Sequence, residues 1–390
     1  MTSKKESTVL NKITGFCKNN GKIIFLGIFL LLNCFVFFNG YSDKSNDSQQ
    51  LLLLSYQNIG FSSRIFLGTI LRLLGFSNGY LNRLIILLRI IYVAVSVMFF
   101  WFVAKTMQND KNHRNNIKKE KNIELWCAYI CACPIFLYGF SYNLYGSTNI
   151  FLVLLMLISF LLLQNQKATF LIPILCVLAI LTDHVFSFIY LPVLCLLLWH
   201  KSKSQNRKPF SMLLKSTILF SIFATIIMIC FSFKSEFPTY YYNLKMFSVN
   251  NFHFLQDLTQ NCGENKLSFD DEIIWLLIAL PLIVFFAYLW RNCLKASKGQ
   301  NVKFYKLCFI HLALCLPSIV YFKGFRSWLT SVLVSQTLLV LGLLWQNNKP
   351  VEKAFEKINL TSEKSLIILV GFVFAFYFLI SVFLPDVSVG

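Results

Sequence analysis

The chain has 390 residues, of which 56% are hydrophobic and 14% charged, and its mean hydropathy is +0.62. Soluble globular domains are far less apolar, so this composition excludes a water-soluble enzyme or regulator. The net charge of +19 would suggest nucleic-acid binding in a soluble domain, but in a membrane protein it fits the excess of Lys and Arg in cytoplasmic loops.

Eleven apolar segments predict membrane spans, because about 20 apolar residues in a helix cross the ~30 Å hydrocarbon core. With the N-terminus in the cytoplasm and the C-terminus outside, most of the 36 Lys and Arg residues fall on the inner side. We therefore expect an all-α polytopic helical bundle, a single transmembrane domain over 1–390, in the bacterial cytoplasmic (inner) membrane. The predicted spans are 23–40, 84–104, 123–141, 148–164, 168–182, 185–199, 216–233, 272–290, 306–322, 327–345 and 365–384.

The first outer loop, about 41–83, begins with the polar stretch "GYSDKSNDSQQ", which carries Asp43 and Asp47. A carboxylate in such a loop can act as a general base toward the hydroxyl of an acceptor. Both acids are therefore candidate catalytic residues.

The same loop continues with "FSSRIFLGTILRLLGFSNGY", which predicts an interfacial or re-entrant helix of about 12 residues. Ser62 or Ser63 is placed to cap its N-terminus. At helical spacing Arg64, Gly68 and Arg72 fall in one stripe, which we expect to face water or a headgroup. A capped helix start beside a cation is a candidate phosphate seat, and the alternative is that both arginines only extend toward lipid headgroups.

An acid and an imidazole interrupt the apolar stretch "LAILTDHVFSFIYLPVL". The flanking spans are short, so Asp183 and His184 are predicted to occupy a tight outer turn that is recessed below the surface. Ionisable groups at such positions usually face a cavity and often carry function, which makes both candidate catalytic residues. The alternative is an aspartate that caps the turn, beside an interfacial histidine. His311, inside the ninth predicted span, is expected to be a hydrogen-bonded packing residue.

Other outer polar and aromatic groups are predicted to converge on the same region, where Tyr and Trp rings would stack on sugar faces. The alternative is an ordinary aromatic belt at the membrane interface. The candidates come from the turn "YGFSYNLYGSTN", the large outer loop of about 234–271 with "EFPTYYYN", and the turn "YFKGFRSW". As substrate-binding residues they are Tyr142, Asn143, Asn149, Glu236, Tyr240, Tyr241, Lys323 and Arg326.

Carboxylates, cations and aromatics on the outer face of a bundle suit a lipid-linked sugar donor. Arginine and lysine at headgroup depth would hold its phosphate or pyrophosphate. The sequence contains neither GxGxxG nor GxxxxGK[ST], so a cytoplasmic nucleotide sugar fits less well. No cofactor is required by this interpretation, and a divalent cation at the donor phosphates is left open.

One span, an acidic outer loop ("NGYSDKSND"), an interfacial helix and then a bundle together resemble the layout of GT-C polyprenyl-phosphate-sugar glycosyltransferases. That resemblance implies a catalytic acid at Asp43 or Asp47. The pieces "YQNIGFSSRIFLGTIL", "NLYGSTNIFLVLLMLISFLLL" and "LTDHVFSFIYLPVL" are similar to poorly characterised bacterial membrane proteins of surface-polysaccharide loci. Those proteins often have a His-Glu pair and an acid in the polar turn, where this chain has Asp183-His184 and Asn149.

The sequence thus predicts a glycosyltransferase that uses a polyprenyl-(pyro)phosphate-linked sugar at the outer face, for cell-surface polysaccharide synthesis or modification. Its expected partners are that donor, a glycan acceptor and membrane lipid, with no nucleic acid. Two alternatives stay open: an O-antigen or capsule polysaccharide polymerase, and a transporter or flippase of lipid-linked sugars.

Overall fold

The computed structural model of the chain is helical throughout the part that it describes, and no strand occurs there. The all-α prediction is confirmed for these residues. The described residues are 66–76, 81–111, 117–132, 148–166, 168–205, 208–232, 269–297, 301–315 and 325–358.

Eleven α-helices follow one another along the described residues. A short 3-10 turn, Thr169–Leu171, precedes α5, and a second one, Ala313–Cys315, follows α9. The helices are α1 (Phe66–Leu73), α2 (Leu81–Lys111), α3 (Ile117–Ala132), α4 (Thr148–Asn165), α5 (Ile172–Thr182), α6 (Val185–Gln205), α7 (Lys208–Ser232), α8 (Phe269–Ala296), α9 (Val302–Leu312), α10 (Phe325–Trp345) and α11 (Lys349–Lys357).

Six of these helices are long and apolar enough to cross a membrane, as expected of an integral membrane protein. They are α2, α4, α6, α7, α8 and α10. The 3-10 turn and α5 together form a shorter apolar helix. The predicted spans at 123–141 and 306–322 correspond to α3 and α9, which are described only as far as Ala132 and Cys315. The predicted spans at 23–40 and 365–384 lie outside the described residues.

Helix α10 forms the centre of the bundle. In its segment Trp328–Trp345, 89% of the residues are buried, against 22% in the segment Lys208–Met228 of α7. Helix α10 packs against α2, α4, α6, α8, α9 and α11. The contact with α4 and α6 is close, because a Cβ placed on Gly342 would come within 2.6 Å of Leu197 Cδ2 and 2.7 Å of Phe160 Cε2. Exposed Leu, Ile and Phe side chains cover α7, as expected for a helix that faces lipid.

Hydrogen bonds between helices define two ends of the bundle. At one end the Lys201 amine donates to the Leu163 carbonyl, and His200 bonds both Gln346 and Asn348. We call this the basic end, and the positive-inside rule predicts that it lies in the cytoplasm. Its exposed cations are Lys203, Lys208, Arg291, Lys295, Lys303, Lys306, Lys349, Lys353 and Lys357.

The other end contains the turn between α5 and α6, and we call it the Asp183 end. Trp328 near the start of α10 donates there to the Leu314 carbonyl, at 2.7 Å, just after α9. Helix α1 packs against α5 and also, through Leu67 and Leu71, against the first turns of α2. The alternation of helix directions therefore agrees with the predicted order of loops over the described residues.

Helix α11 is an element that the sequence analysis does not predict, because it lies between the predicted spans 327–345 and 365–384. Its N-cap is Asn348, whose side-chain oxygen accepts from the Val351 N–H at 3.1 Å. Asn122 of α3 donates to the Phe355 carbonyl at 3.1 Å and to the Ile358 carbonyl at 2.6 Å, at the end of α11. Helix α11 is thus held at both ends and buries Val351, Ala354 and Phe355.

Candidate functional site

The turn between α5 and α6 brings two ionisable residues to one end of the bundle. Asp183 is extended, with φ −158° and ψ 132°, and its N–H donates to the Ala179 carbonyl at 2.9 Å, which closes the last turn of α5. The Asp183 carbonyl accepts from the Phe186 N–H at 3.1 Å in the first turn of α6. Two residues therefore suffice to reverse the chain, as the sequence predicted.

The Asp183 carboxylate points into the protein, since its side chain is only 3% exposed. Its Oδ1 accepts from the Val185 N–H at 3.0 Å, and its Oδ2 accepts from the Thr148 hydroxyl at 2.9 Å. Val185 and Thr148 are the first residues of α6 and α4, so one carboxylate meets two helix N-termini. The interpretation of Asp183 as a cap is confirmed for α6, and Thr148 from the end of the predicted polar turn contacts it, while residues 133–147 of that region lie outside the described residues.

His184 points the other way, with 48% of its side chain exposed. Its Nδ1 lies 3.4 Å from Asp183 Oδ1, close enough for an electrostatic contact that favours one orientation of the ring. The two side chains therefore have different surroundings. The buried acid positions the turn, and the imidazole is the group that a ligand can reach.

The depth of this turn follows from the shortness of α5. Eleven α-helical residues and a three-residue 3-10 turn rise about 22 Å, less than the ~30 Å of the hydrocarbon core. Helix α6, with 21 residues, rises about 32 Å and extends further at the basic end. These lengths support a turn that lies below the membrane surface at the Asp183 end.

Two further candidates occupy the same end. Asn149 follows Thr148 in the first turn of α4 and is half-buried. Arg72 is exposed in the last turn of α1, the helix that packs on α5. The backbone of Arg326 lies in the first turn of α10, while its side chain is outside the described residues.

Helix α1 corrects one prediction. Its C-terminus is closed by Gly75, at φ 87°, with the Phe76 N–H donating to the Leu71 carbonyl at 3.0 Å. Gly68 is buried and Arg72 is exposed, so the predicted stripe does not face water or headgroups as a unit. Burial of Leu67 and Leu71, one helical turn apart, carries the glycine between them to the packed side.

Several predicted site residues are not placed by the structure, and their roles stay predictions. They come from the first outer loop, the turn before α4, the large outer loop and the turn before α10. Outside the described residues lie Asp43, Asp47, Arg64, Tyr142, Asn143, Glu236, Tyr240, Tyr241 and Lys323.

Among the described residues, no three His, Cys, Asp or Glu side chains are grouped so that they could hold a metal ion. The pair of Asp183 and His184 supplies two such groups, and its neighbours Thr148 and Asn149 are weaker ligands for a divalent cation. A divalent cation at the donor phosphates therefore remains a prediction.

A buried polar chain crosses the interior between the two ends, and sequence reasoning found only one of its members. His311 donates from Nε2 to the Ile189 carbonyl at 2.8 Å, and its Nδ1 accepts from the Gln336 amide at 2.7 Å. Gln336 also accepts from the Trp290 indole at 2.8 Å. Pro192 has no N–H to donate to the Phe188 carbonyl four residues earlier, so α6 lacks one backbone hydrogen bond next to Ile189. The prediction that His311 is a hydrogen-bonded packing residue is confirmed.

Comparisons with known proteins identify no relative of this chain. No protein-family model, no curated protein and no solved structure matches the chain. The resemblance to GT-C transferases and to proteins of polysaccharide loci therefore rests on the sequence stretches quoted above.

Proposed function

We propose that the chain is a membrane glycosyltransferase that transfers sugar from a polyprenyl-linked donor at the outer face of the cytoplasmic membrane, for a cell-surface polysaccharide. The observation that carries this proposal is the turn at Asp183 and His184. A buried, positioned carboxylate lies behind an imidazole that is 48% exposed, at the end of the bundle opposite its cluster of cations. A lipid-linked donor reaches such a recessed turn from the membrane, and a glycan acceptor reaches it from water.

In the proposed reaction His184 is the general base. Its Nδ1 faces Asp183, so Nε2 is the nitrogen left to take the proton of the acceptor hydroxyl. The acceptor oxygen then bonds to the anomeric carbon of the donor sugar. The bond from that carbon to the donor phosphate oxygen breaks, and the electron pair leaves with the polyprenyl phosphate or pyrophosphate. The protonated imidazole returns its proton to water.

Cations and the first outer loop complete the proposal. The leaving phosphate gains negative charge, which Arg72 and Arg326 at the same end would neutralise, with Arg64 and Lys323 as predicted additions. Asp43 and Asp47 are the competing bases. The Asp183 carboxylate is already bonded to two helix starts, so its part is to position His184.

The test is substitution in the source cells, with surface glycan measured by immunoblot and lipid-linked precursors by mass spectrometry. We expect His184→Gln to lower glycan at least tenfold, since a positioned base contributes about 10² to 10⁴ in rate. The matched control is Lys353→Gln, an exposed change at the basic end. Normal glycan in His184→Gln, Asp43→Asn and Asp47→Asn, each at wild-type protein level, would sink the transferase proposal.

The two alternatives give different products in the same assay. If the protein is a polymerase, its inactive variant would make surface glycan of shorter chain length, with single repeat units still produced. If the protein is a flippase, its inactive variant would leave the lipid-linked precursor in the inner leaflet.

A further inference from the structure

A groove opens between α8 and α9, away from the Asp183 end. Its volume is about 390 Å³. On α8 the lining residues are spaced three or four apart, so a single face of that helix forms one wall. The lining consists of Val284, Ala287, Tyr288, Arg291, Leu294 and Phe309.

The groove faces the membrane. Val284, Tyr288 and Phe309 are exposed, although the first two belong to Ala279–Ala296, a segment long and apolar enough to span. Exposed apolar side chains on a spanning helix lie against lipid acyl chains. The walls of the groove are therefore suited to hydrocarbon.

The half of the groove nearer the basic end is cationic. Arg291 lines it seven residues after Val284, about 10 Å further along α8 toward the basic end. Lys295 follows one turn later on the same helix and is exposed. On α9, which runs antiparallel, exposed Lys306 lies one turn toward the basic end from Phe309. Arg291 is thus the charged residue of the lining, and two exposed lysines lie within a turn of the lining residues on the side of the basic end.

This arrangement matches one amphiphile, a chain of hydrocarbon that ends in an anion. A phosphate at the surface would accept hydrogen bonds from the Arg291 guanidinium, and its acyl chain would lie along Val284 and Phe309. A second copy of the protein related by a twofold axis fits poorly, because it would bring a second Arg291 and Lys295 against the first.

We propose that the groove between α8 and α9 binds an anionic phospholipid from the leaflet at the basic end, with Arg291 as the phosphate ligand. This site is independent of the glycosyltransferase proposal, since it lies at the other end of the bundle from His184. Bound lipid would fill the groove and neutralise charge where α8 and α9 meet.

The experiment uses the full-length protein in mild detergent, with phosphatidylglycerol or phosphatidylcholine added and bound lipids counted by native mass spectrometry. We expect retention of phosphatidylglycerol to exceed that of phosphatidylcholine. Arg291→Gln should reduce phosphatidylglycerol retention about fivefold, the effect of removing one cation near a membrane surface. Addition of inorganic phosphate should not displace the lipid, because free phosphate has no chain to occupy the groove.

Two variants separate a groove from diffuse surface charge. Val284→Trp keeps every cation but fills the groove, and it should also lower retention. Lys353→Gln removes a cation of α11 at the same end of the bundle and should leave retention unchanged. The proposal is overturned if Lys353→Gln matches Arg291→Gln, if Val284→Trp binds lipid normally, or if phosphatidylcholine is retained equally well. Elution of each variant as a single sharp peak verifies that it is folded.

Discussion

The two ends of the bundle use buried polar groups in opposite ways. At the basic end His200, Gln346, Asn348 and Tyr305 are joined by hydrogen bonds between neutral groups across α6, α9 and the turn before α11. At the Asp183 end, one carboxylate caps α6, accepts from the Thr148 hydroxyl of α4 and leaves an imidazole exposed beside it. The network at the basic end joins helices through buried groups, while the other end keeps an imidazole in reach of water.

With the proposed function, this difference assigns stability to the basic end and chemistry to the Asp183 end. Substitutions at the basic end should act on folding, and substitutions at the Asp183 end should act on activity with smaller effects on folding. Each change below tests that division.

Asn348→Ala should have the largest effect on stability. The change removes the N-cap of α11 and the acceptor of the Tyr305 hydroxyl, which is buried with it. Loss of a cap costs about 1 kcal/mol, and a stranded buried hydroxyl about 1 to 3 kcal/mol, so we expect about 2 to 4 kcal/mol in all. Thermal unfolding in mild detergent measures it.

Lys353→Gln on the exposed side of α11 is the control for that measurement and should change stability by less than about 0.5 kcal/mol. Equal melting temperatures of Asn348→Ala and the wild type would show that the basic-end network does not stabilise the packing of the helices.

Gly342→Ala comes next. An alanine in a helix is ordinarily about 0.5 to 1 kcal/mol better than glycine, but here its methyl group would overlap Leu197 and Phe160. We expect a net destabilisation of about 1 to 3 kcal/mol, typical of overpacked cores.

A double-mutant cycle with Leu197→Ala tests the cause of that effect. The second change removes both leucine methyl groups near position 342, so Gly342→Ala should cost less in its presence. Purely additive effects would mean that the close approach of α10 to α6 does not set the cost.

Of the three buried changes, Thr148→Val should have the smallest effect on stability. The change keeps the shape of the side chain but removes the hydroxyl that donates to Asp183 Oδ2. A hydrogen bond to a charged group contributes about 1.5 to 3 kcal/mol, and the Val185 N–H still holds the acid, so we expect the lower value or less.

The glycan assay then places Thr148 relative to His184. A fall in glycan smaller than that of His184→Gln is expected, because the imidazole itself is unchanged. If Thr148→Val unfolds the protein as readily as Asn348→Ala, the division between the two ends is wrong.

Local patterns made much of the fold predictable. Apolar length identifies spans, and basic residues between them indicate direction, so the tight turn at Asp183 followed from the sequence. Pairings between helices did not follow, because they depend on which helices are neighbours. Nothing local to Thr148 selects Asp183 as its partner, and Gln336 sits in the apolar run "LTSVLVSQTLLVL" with no sign of its bonds to α8 and α9.

Helix α11 was missed for a different reason. Its apolar face is short and its residues are otherwise charged, so a search for long apolar runs passes over it. The signal was present in Asn348 followed by Pro350 and by apolar residues at 351, 354 and 355, the pattern of a capped amphipathic helix.

The bond from Asn122 to the end of α11 also bears on how the protein is made. The two partners at Asn122 and Phe355 are 233 residues apart in the chain. At about 5 to 20 residues per second, a ribosome needs roughly 10 to 50 s to synthesise the intervening chain. During that time Asn122 in α3 lacks its partner at the end of α11. The contact between α3 and α11 can therefore form only after α11 has been synthesised.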